Sequence, residues 1–338
     1  MRIGVINWDC SLPPETYFGY YQTRNLSPAK YRPVTPYYAD VCGTDAVSYH
    51  RRTQEEYDRE LSYAVRAGID YFAYVWYPDE GSRTHVTTSP TDCSAHVFEL
   101  NYARRLHEHS VLRDKIGLCA IAGAHPFSDG DVDALVRAMQ APYYETIDGR
   151  PLLYVYNGSR TDFIERVRAA CAKRGTPDPY VVAMYHSIHG GEDLDASDAL
   201  SAYAAVKSGV TTYSELFAEC LRANETRRAT GKPVIPLFTT GWDPSPRVDQ
   251  PSPWVTYPDK DYAAFASAEE LMTGARGLVD WIRTACGAQF AGHILTFAWN
   301  EFEEGGIICP TVGADGNPDT ARLDAFGAVG RYWREVLV

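Results

Sequence analysis

The feature that most constrains this chain is a regular alternation of strand-like and helix-like segments along its length. Eight near-continuous apolar runs, rich in Val, Ile and Tyr, are typical of strands covered on both faces, as in a parallel sheet. The sixth run is ambiguous, because its alanines and serines suit a helix as well as a strand. The runs are RIGVINW (2–8), DYFAYVWY (70–77), IGLCAIAG (116–123), PLLYVYN (151–157), YVVAMYH (180–186), ALSAYAAV (199–206), VIPLFTT (234–240) and HILTFAW (293–299).

Amphipathic helical patterns separate these runs. Residues 53–67 place apolar side chains three and four positions apart, and Thr53 with Glu56 predicts a capping box in front of them. Gly68 then suits the left-handed residue that ends many helices. Similar capping boxes are predicted at Thr212 with Glu215 and at Ser267 with Glu270. Helices are therefore expected at 53–67, 95–109, 131–141, 161–174, 213–229, from 267 onward, and at 320–336.

Eight strands, most of them followed by a helix, predict an α/β protein built as a single (β/α)8 TIM barrel over residues 1–338. An open, doubly wound sheet is the alternative, but the last strand is followed by one further helix, which favours closure. No linker or shift in composition marks a second domain. The two longest connections, 9–52 and 241–266, leave strands one and seven at the end where barrel enzymes build their sites.

Charge and composition limit the kinds of molecule that this protein is expected to bind. The net charge of −12 disfavours nucleic acid and anionic lipid surfaces, and no apolar run approaches the roughly 18 residues of a membrane span. The opening MRIGVINW indicates a strand and not a signal region, so a cytoplasmic location is expected, although a chain whose signal peptide had been removed would look the same. The eight cysteines form no CxxC pair. The sequence does not fix the oligomeric state.

Aromatic and polar residues gather at the predicted carboxyl ends of the strands. Four of the seven tryptophans stand there, which favours a cleft that binds sugars through aromatic faces. Trp8 and Trp299 could equally serve to pack the rim of the barrel, and Asp9 and Asp243 could cap turns in the loops. No HxH or HExxH spacing is present, so a metal is not expected. The candidate ligand-binding residues are Trp8, Asp9, Trp76, Tyr77, His125, Tyr156, Asn157, Tyr185, His186, Tyr203, Trp242, Asp243, Trp299 and Asn300.

Three glutamates crowd the end of the eighth run, in FAWNEFEEGG (297–306). Two carboxyl groups are what glycosidic bond cleavage requires, one protonated and one ionised, and placing them close together separates their pKa values. If the chain stays extended, Glu301 and Glu303 share a face. If it turns, Glu301 and Glu304 converge, and the glycines at 305 and 306 favour a turn.

Four segments resemble glycoside hydrolase family 99 and its relatives, some of which are described as polysaccharide-biosynthesis proteins. They are GIDYFAYVWY (68–77), GRPLLYVY (149–156), TTGWD (239–243) and WNEFEEG (299–305). The resemblance implies a (β/α)8 barrel with retaining, typically endo-acting α-mannosidase activity and no cofactor. It implies that Glu301 is the base acting on the sugar's own 2-hydroxyl and that Glu304 is the acid/base. Phe302 and Glu303 replace the family's Trp and His, so Glu303 would face a glycan that need not be an α-mannan.

Two other functions compete with a retaining hydrolase of oligosaccharides or polysaccharides. A glycosyltransferase of polysaccharide biosynthesis would commonly use a DxD metal site, but 131–133 lies at a helix start and 193–195 in a loop. A catalytically inactive glycan-binding barrel would not need both Glu301 and Glu304. The sequence leaves the sugar, its linkage and endo or exo action open.

Overall fold

Eight parallel strands form the centre of the molecule. The computed structural model describes residues 1–79, 93–123, 125–156, 161–184, 194–206, 209, 212–257 and 265–337. Neighbouring strands follow the order β7-β8-β1-β2-β3-β4-β5-β6. The strands are β1 (Arg2–Asn7), β2 (Tyr71–Val75), β3 (Gly117–Ala122), β4 (Arg150–Tyr156), β5 (Tyr180–Met184), β6 (Ala199–Ser201), β7 (Leu237–Thr239) and β8 (His293–Phe297).

The sheet closes between β6 and the residues just before β7. The backbone N–H of Leu200 donates to the carbonyl of Pro233 (2.9 Å), and the N–H of Ile235 donates to the carbonyl of Leu200 (3.0 Å). Leu200 and Val234 thus form a parallel bridge across the gap. The predicted (β/α)8 barrel is confirmed, and the open sheet is wrong.

The helices surround this barrel. Capping boxes at Thr53, Thr212 and Ser267 are present as predicted, and Gly68 has a positive φ of 74° at the end of the first predicted helix. No helix among the described residues has the length and apolar composition to cross a membrane. The helices are α1 (Tyr17–Leu26), α2 (Gln54–Arg66), α3 (Tyr102–His109), α4 (Asp129–Met139), α5 (Thr161–Arg174), α6 (Tyr213–Arg228), α7 (Ser245–Asp249), α8 (Ala268–Trp281) and α9 (Ala321–Val336).

Several predicted boundaries were wrong, some for local reasons and one because of a distant side chain. Helix α4 starts earlier than predicted, because Ser128 and Asp131 form a further capping box. The segment 95–109 begins with short 3₁₀ turns at Cys93–Ala95 and Val97–Asn101, and only its second half is α-helical. Strand β6 ends at Ser201 instead of reaching 206. Strand β7 begins only at Leu237, where both backbone groups bond to the side chain of Asn224 in α6 (2.9 Å each).

In the interior of the barrel, large side chains pack next to a glycine. Tyr71 of β2 is fully buried, and its hydroxyl lies 2.9 Å from that of Tyr154 on β4. Gly4 of β1 is the register partner of Tyr71, and a Cβ placed on Gly4 would overlap the Tyr71 ring. A glycine at this position therefore makes room for the tyrosine in a close-packed interior.

The connections after β1 and β7 are joined to each other. The first contains α1, a 3₁₀ turn (Ala29–Val34) and a small hairpin (Asp40–Gly43 with Ala46–Ser48), and the second contains α7. Arg24 at the end of α1 donates to the carbonyls of Gln250 (2.9 Å) and Pro251 (2.7 Å), and the Gln250 amide donates to the Arg24 carbonyl (3.0 Å). Asn25 adds a bond to the Ser252 hydroxyl (3.1 Å). Both connections stand at the carboxyl ends of the strands.

Candidate active site

A cavity of about 390 Å³ opens at the carboxyl ends of the barrel strands. Its wall is mostly aromatic and aliphatic, with one guanidinium and two carboxyl groups. Such a wall suits a ligand that presents both apolar C–H faces and hydroxyl groups. The lining residues are Trp8, Val75, Tyr77, Tyr156, Tyr203, Ala204, Val206, Trp242, Arg247, Trp254, Val255, Tyr257, Glu301 and Glu304.

The chain turns immediately after Glu301. Asn300–Glu301 pairs antiparallel with Gly306–Ile307, and the N–H of Glu304 donates to the carbonyl of Glu301 (3.0 Å). Gly305 adopts a positive φ of 81°, which a residue with a side chain rarely takes. Of the two geometries that the sequence left open, the turn is the one found. It brings Glu301 and Glu304 to the same cavity, and Glu303 lies outside it.

Glu301 is a buried carboxyl group with a phenol partner. Only 3% of the residue is exposed, and the Tyr203 hydroxyl donates to Glu301 Oε1 (2.6 Å). Burial raises the pKa of Glu301 well above its usual range, and the nearby Glu304 carboxylate raises it further. Arg247 and Tyr203 oppose this rise in the pKa but do not cancel it. Glu301 therefore favours its protonated form.

Glu304 has a different environment, because a cation contacts it. Arg247 Nη1 forms an ion pair with Glu304 Oε1, and the Tyr257 hydroxyl donates to the same oxygen (2.6 Å). Arg247 comes from α7, in the connection after β7, and is almost fully buried. The cavity thus holds two carboxyl groups with unequal partners, a phenol on one and a phenol plus a guanidinium on the other.

Glu303 supports this arrangement from behind the cavity wall. Its carboxylate accepts from the Asn25 side-chain amide and lies 3.3 Å from Arg247 Nη2. The Cys10 thiol lies 3.7 Å from Glu303, and burial raises the pKa of that thiol, with a further rise caused by the Glu303 charge. Glu303 was predicted to face the substrate, whereas the structure places it as an anchor for Arg247.

Asp9 and Trp299, two further candidates for ligand binding, belong to a buried network outside the cavity. Arg52 forms ion pairs with both Asp9 and Glu60, and all three side chains are almost fully buried. The Trp299 indole donates to Glu60 (2.8 Å). This network connects the loop after β1, helix α2 and the end of β8. It holds the backbone next to Trp8, which does line the cavity.

Asn300, Trp76 and Asp243 also lie outside the cavity wall. Asn300 accepts from the backbone N–H of Trp8 (2.9 Å), and Trp76 packs under the Arg104 guanidinium, 3.6 Å from the ring centroid. Asp243 caps its own turn by accepting from the backbone N–H of Ser245 (3.0 Å), which is the alternative that the sequence left open.

Other candidates do line the cavity. They are Trp8, Tyr77, Tyr156, Tyr203 and Trp242. The Trp8 indole donates to the Tyr77 hydroxyl (2.7 Å). The ring of His125 lies 5.4 Å from that of Tyr77, next to this wall. Three further candidates, Asn157, Tyr185 and His186, fall outside the described residues.

Sequence reasoning missed a group of residues in the connection after β7. Arg247, Trp254 and Tyr257 line the cavity, and two of them contact Glu304. The connection 241–266 was expected to shape the site, and Arg247 is its one arginine. That arginine was the available signal, since a buried carboxylate cluster requires a cation. The other missed lining residues are aliphatic: Val75, Ala204, Val206 and Val255.

Within the described ranges, no group of three or more His, Cys, Asp and Glu side chains is arranged to hold a metal ion.

Comparison with known proteins shows a shared fold. No protein-family model matches the chain, and no curated protein sequence matches it. Among solved structures, it is similar to the family 99 endo-α-mannosidase from Bacteroides thetaiotaomicron in complex with bis-tris-propane, with 15% identity, 99% of this chain and 97% of that chain covered, and a TM-score of 0.57. A second structure of that organism's family 99 endo-α-mannosidase gives 14% identity, coverage of 88% and 86%, and a TM-score of 0.51. The fold of this chain is thus similar to the barrel of the family 99 endo-α-mannosidases, as the motifs predicted.

Proposed function

We propose that this protein is a glycoside hydrolase in which Glu301 and Glu304 cleave a glycosidic bond. One observation carries the proposal: both carboxyl groups line one cavity, where burial and the Glu304 charge raise the pKa of Glu301 while Arg247 forms an ion pair with Glu304. Glycoside hydrolysis needs such a pair, a proton donor and an ionised carboxylate. The aromatic wall supports a sugar as the ligand.

The unequal partners also support an assignment of roles. Glu301 donates its proton to the departing oxygen while the bond from that oxygen to the anomeric carbon breaks. Glu304, held by Arg247 and Tyr257, accepts the proton of the sugar's 2-hydroxyl as that oxygen bonds to the anomeric carbon. The product is an anhydro-sugar. Water then attacks the same carbon and gives a proton to Glu301, and Glu304 returns its proton to the 2-oxygen. Two inversions give retention.

This assignment exchanges the roles that the family resemblance implies, in which Glu301 is the base and Glu304 the acid. The support for the exchange is electrostatic. Burial favours the proton on Glu301, whereas the guanidinium of Arg247 contacts Glu304. The participation of the 2-hydroxyl rests on the resemblance. The same resemblance implies endo-acting cleavage, within the glycan chain. α-Mannosides are the first substrates to test, because the similar structures are endo-α-mannosidases.

The test is hydrolysis of a broad panel of glycans by the purified protein, measured as newly formed reducing ends, with and without nucleotide sugars. Glu301→Gln and Glu304→Gln should each abolish product formation. Glu335→Gln, an equivalent change at an exposed glutamate of α9, should leave it intact. NMR of the first-formed anomer should show retention. Product that requires a nucleotide sugar would identify a transferase instead, and turnover that persists in both cavity variants would refute the proposal.

A further inference from the structure

We propose that Trp254, Tyr21 and Tyr20 form an aromatic strip that binds the sugar residues of an oligosaccharide that extend beyond the catalytic cavity. The inference rests on the proposed function and names its substrate class, an oligosaccharide or polysaccharide in preference to a small glycoside.

The strip is continuous with the cavity. Trp8 and Trp254 both line the cavity, with ring centroids 6.4 Å apart. Trp254 packs against the buried Phe18 at 5.0 Å and, edge to face, against Tyr21 of α1 at 5.4 Å, and Tyr21 packs edge to face against Tyr20 at 5.1 Å. A ligand that leaves the cavity along this path meets one aromatic side chain after another.

The outer end of the strip is exposed. Tyr20 is 52% accessible, although an aromatic ring loses favourable burial when it is left in water. Among the described residues, the other exposed large hydrophobic side chains are Val41, Val111 and Val206. Val206 also lines the cavity. Of these four exposed side chains, one lies in the cavity wall and another, Tyr20, lies two rings away from the lining residue Trp254.

The strip is also held in place before any ligand arrives. The Arg24 guanidinium lies 5.0 Å from the Tyr21 ring centroid and, at the same time, donates to the Gln250 and Pro251 carbonyls in the connection that carries Trp254. The two connections cannot separate without breaking these bonds. A rigid platform loses little conformational entropy on binding, which favours a ligand-binding role.

The chemistry of the strip specifies the ligand. Tyrosine and tryptophan rings offer flat apolar faces, and the polar edges of the same side chains can bond to hydroxyl groups. Pyranose rings have C–H faces and peripheral hydroxyls. Neighbouring rings of the strip stand at 83° and 90° to one another, so an oligosaccharide contacts the face of one ring and the edge of the next. The exposed face of Tyr20 would contact the residue furthest from the scissile bond.

The experiment compares ligands of increasing length. A glycan array identifies glycans bound by the wild type, and oligomers of two to six residues of the best-bound glycan are then used for calorimetric binding and for hydrolysis. Tyr20→Ala should weaken binding and kcat/KM about threefold to tenfold for the longer oligomers and leave the shortest ligand unchanged. Tyr20→Phe keeps the ring and should behave as wild type. Val111→Ala removes an exposed apolar side chain just before β3, at the opposite end of the barrel, and serves as the control.

The outcomes separate the two proposals. A loss that grows with chain length in Tyr20→Ala, but not in the two comparison variants, supports the strip even if no glycan is hydrolysed. Hydrolysis with equal loss, or no loss, at every length overturns the strip and leaves the hydrolase proposal standing. If the array binds no glycan and none is cleaved, both proposals fail.

Discussion

Replacing Glu301 by glutamine should make the protein more stable at neutral pH. In the folded protein, burial and the Glu304 charge raise the pKa of Glu301. A glutamine side chain resembles the protonated carboxyl group, and its carbonyl can accept the bond that the Tyr203 hydroxyl now donates to Glu301. The variant therefore keeps the contacts and removes the group whose ionisation the fold opposes.

The size of the effect follows from proton linkage. An unfolded glutamate has a pKa of about 4.3, so above that pH the unfolded chain releases a proton that the folded protein retains. The free energy of unfolding then falls by about 1.4 kcal/mol for each pH unit, until the pH reaches the folded pKa of Glu301. At pH 7 this destabilisation is at most about 4 kcal/mol, and it disappears near pH 4. Glu301→Gln should remove it.

The assay is urea denaturation of wild type and variant from pH 4 to pH 8, followed by tryptophan fluorescence. The quantity of interest is the difference in the free energy of unfolding between the two proteins, since titration of groups that do not interact with Glu301 cancels in it. This difference should grow in favour of the variant as the pH rises. Glu335→Gln, at an exposed position, should show no such trend. A difference that is constant with pH would refute the idea that the fold holds a proton on Glu301.

Other regions of the structure give three further predictions. Arg247→Met leaves two buried carboxylates without their cation and should lower the free energy of unfolding by about 3–5 kcal/mol in urea titrations at pH 7; a change below 1 kcal/mol would contradict the described ion pairs. Gly4→Ala should cost about 1–3 kcal/mol in the same assay, because its methyl group would overlap the Tyr71 ring, and an unchanged stability would mean that the interior has spare room. If Glu301 is the first-step acid, Glu301→Gln should reduce kcat/KM far more for alkyl glycosides than for nitrophenyl glycosides, because nitrophenolate leaves without needing a proton. Glu304→Gln should reduce kcat/KM equally for both kinds of substrate. The opposite pattern would restore the roles implied by the family resemblance.

The barrel could be predicted from the sequence because its signals are local. Apolar runs, capping boxes such as Thr53 with Glu56, and the C-terminal Gly68 depend on residues within a few positions of one another. The start of β7 could not be predicted in this way, because a distant group decides it. Strand β7 starts late at Leu237, where a side chain of α6 takes both of its backbone groups, and no local pattern around 234–240 reveals that partner.

The site was predictable in part for the same reason. Position at a strand end indicates which residues are near the cavity, and the turn-forming glycines indicate that Glu301 and Glu304 converge. Strand-end position does not tell which way a side chain points, so Asp9 and Trp299 were placed with the ligand although they bond inside the network around Arg52. Arg247 contacts Glu304 because of the backbone conformation of a long connection. The sequence of that connection has no periodicity from which its conformation could be predicted.

The bonds of Arg24 and Asn25 to residues 250–252 have a consequence for protein engineering. The connections after β1 and β7, more than two hundred positions apart in the chain, are joined by these bonds and should move together. Grafting either connection alone onto another scaffold would remove the partners of these hydrogen bonds. A chimaera designed to take the substrate specificity of this barrel should therefore include both connections, together with Arg24, whose guanidinium joins them.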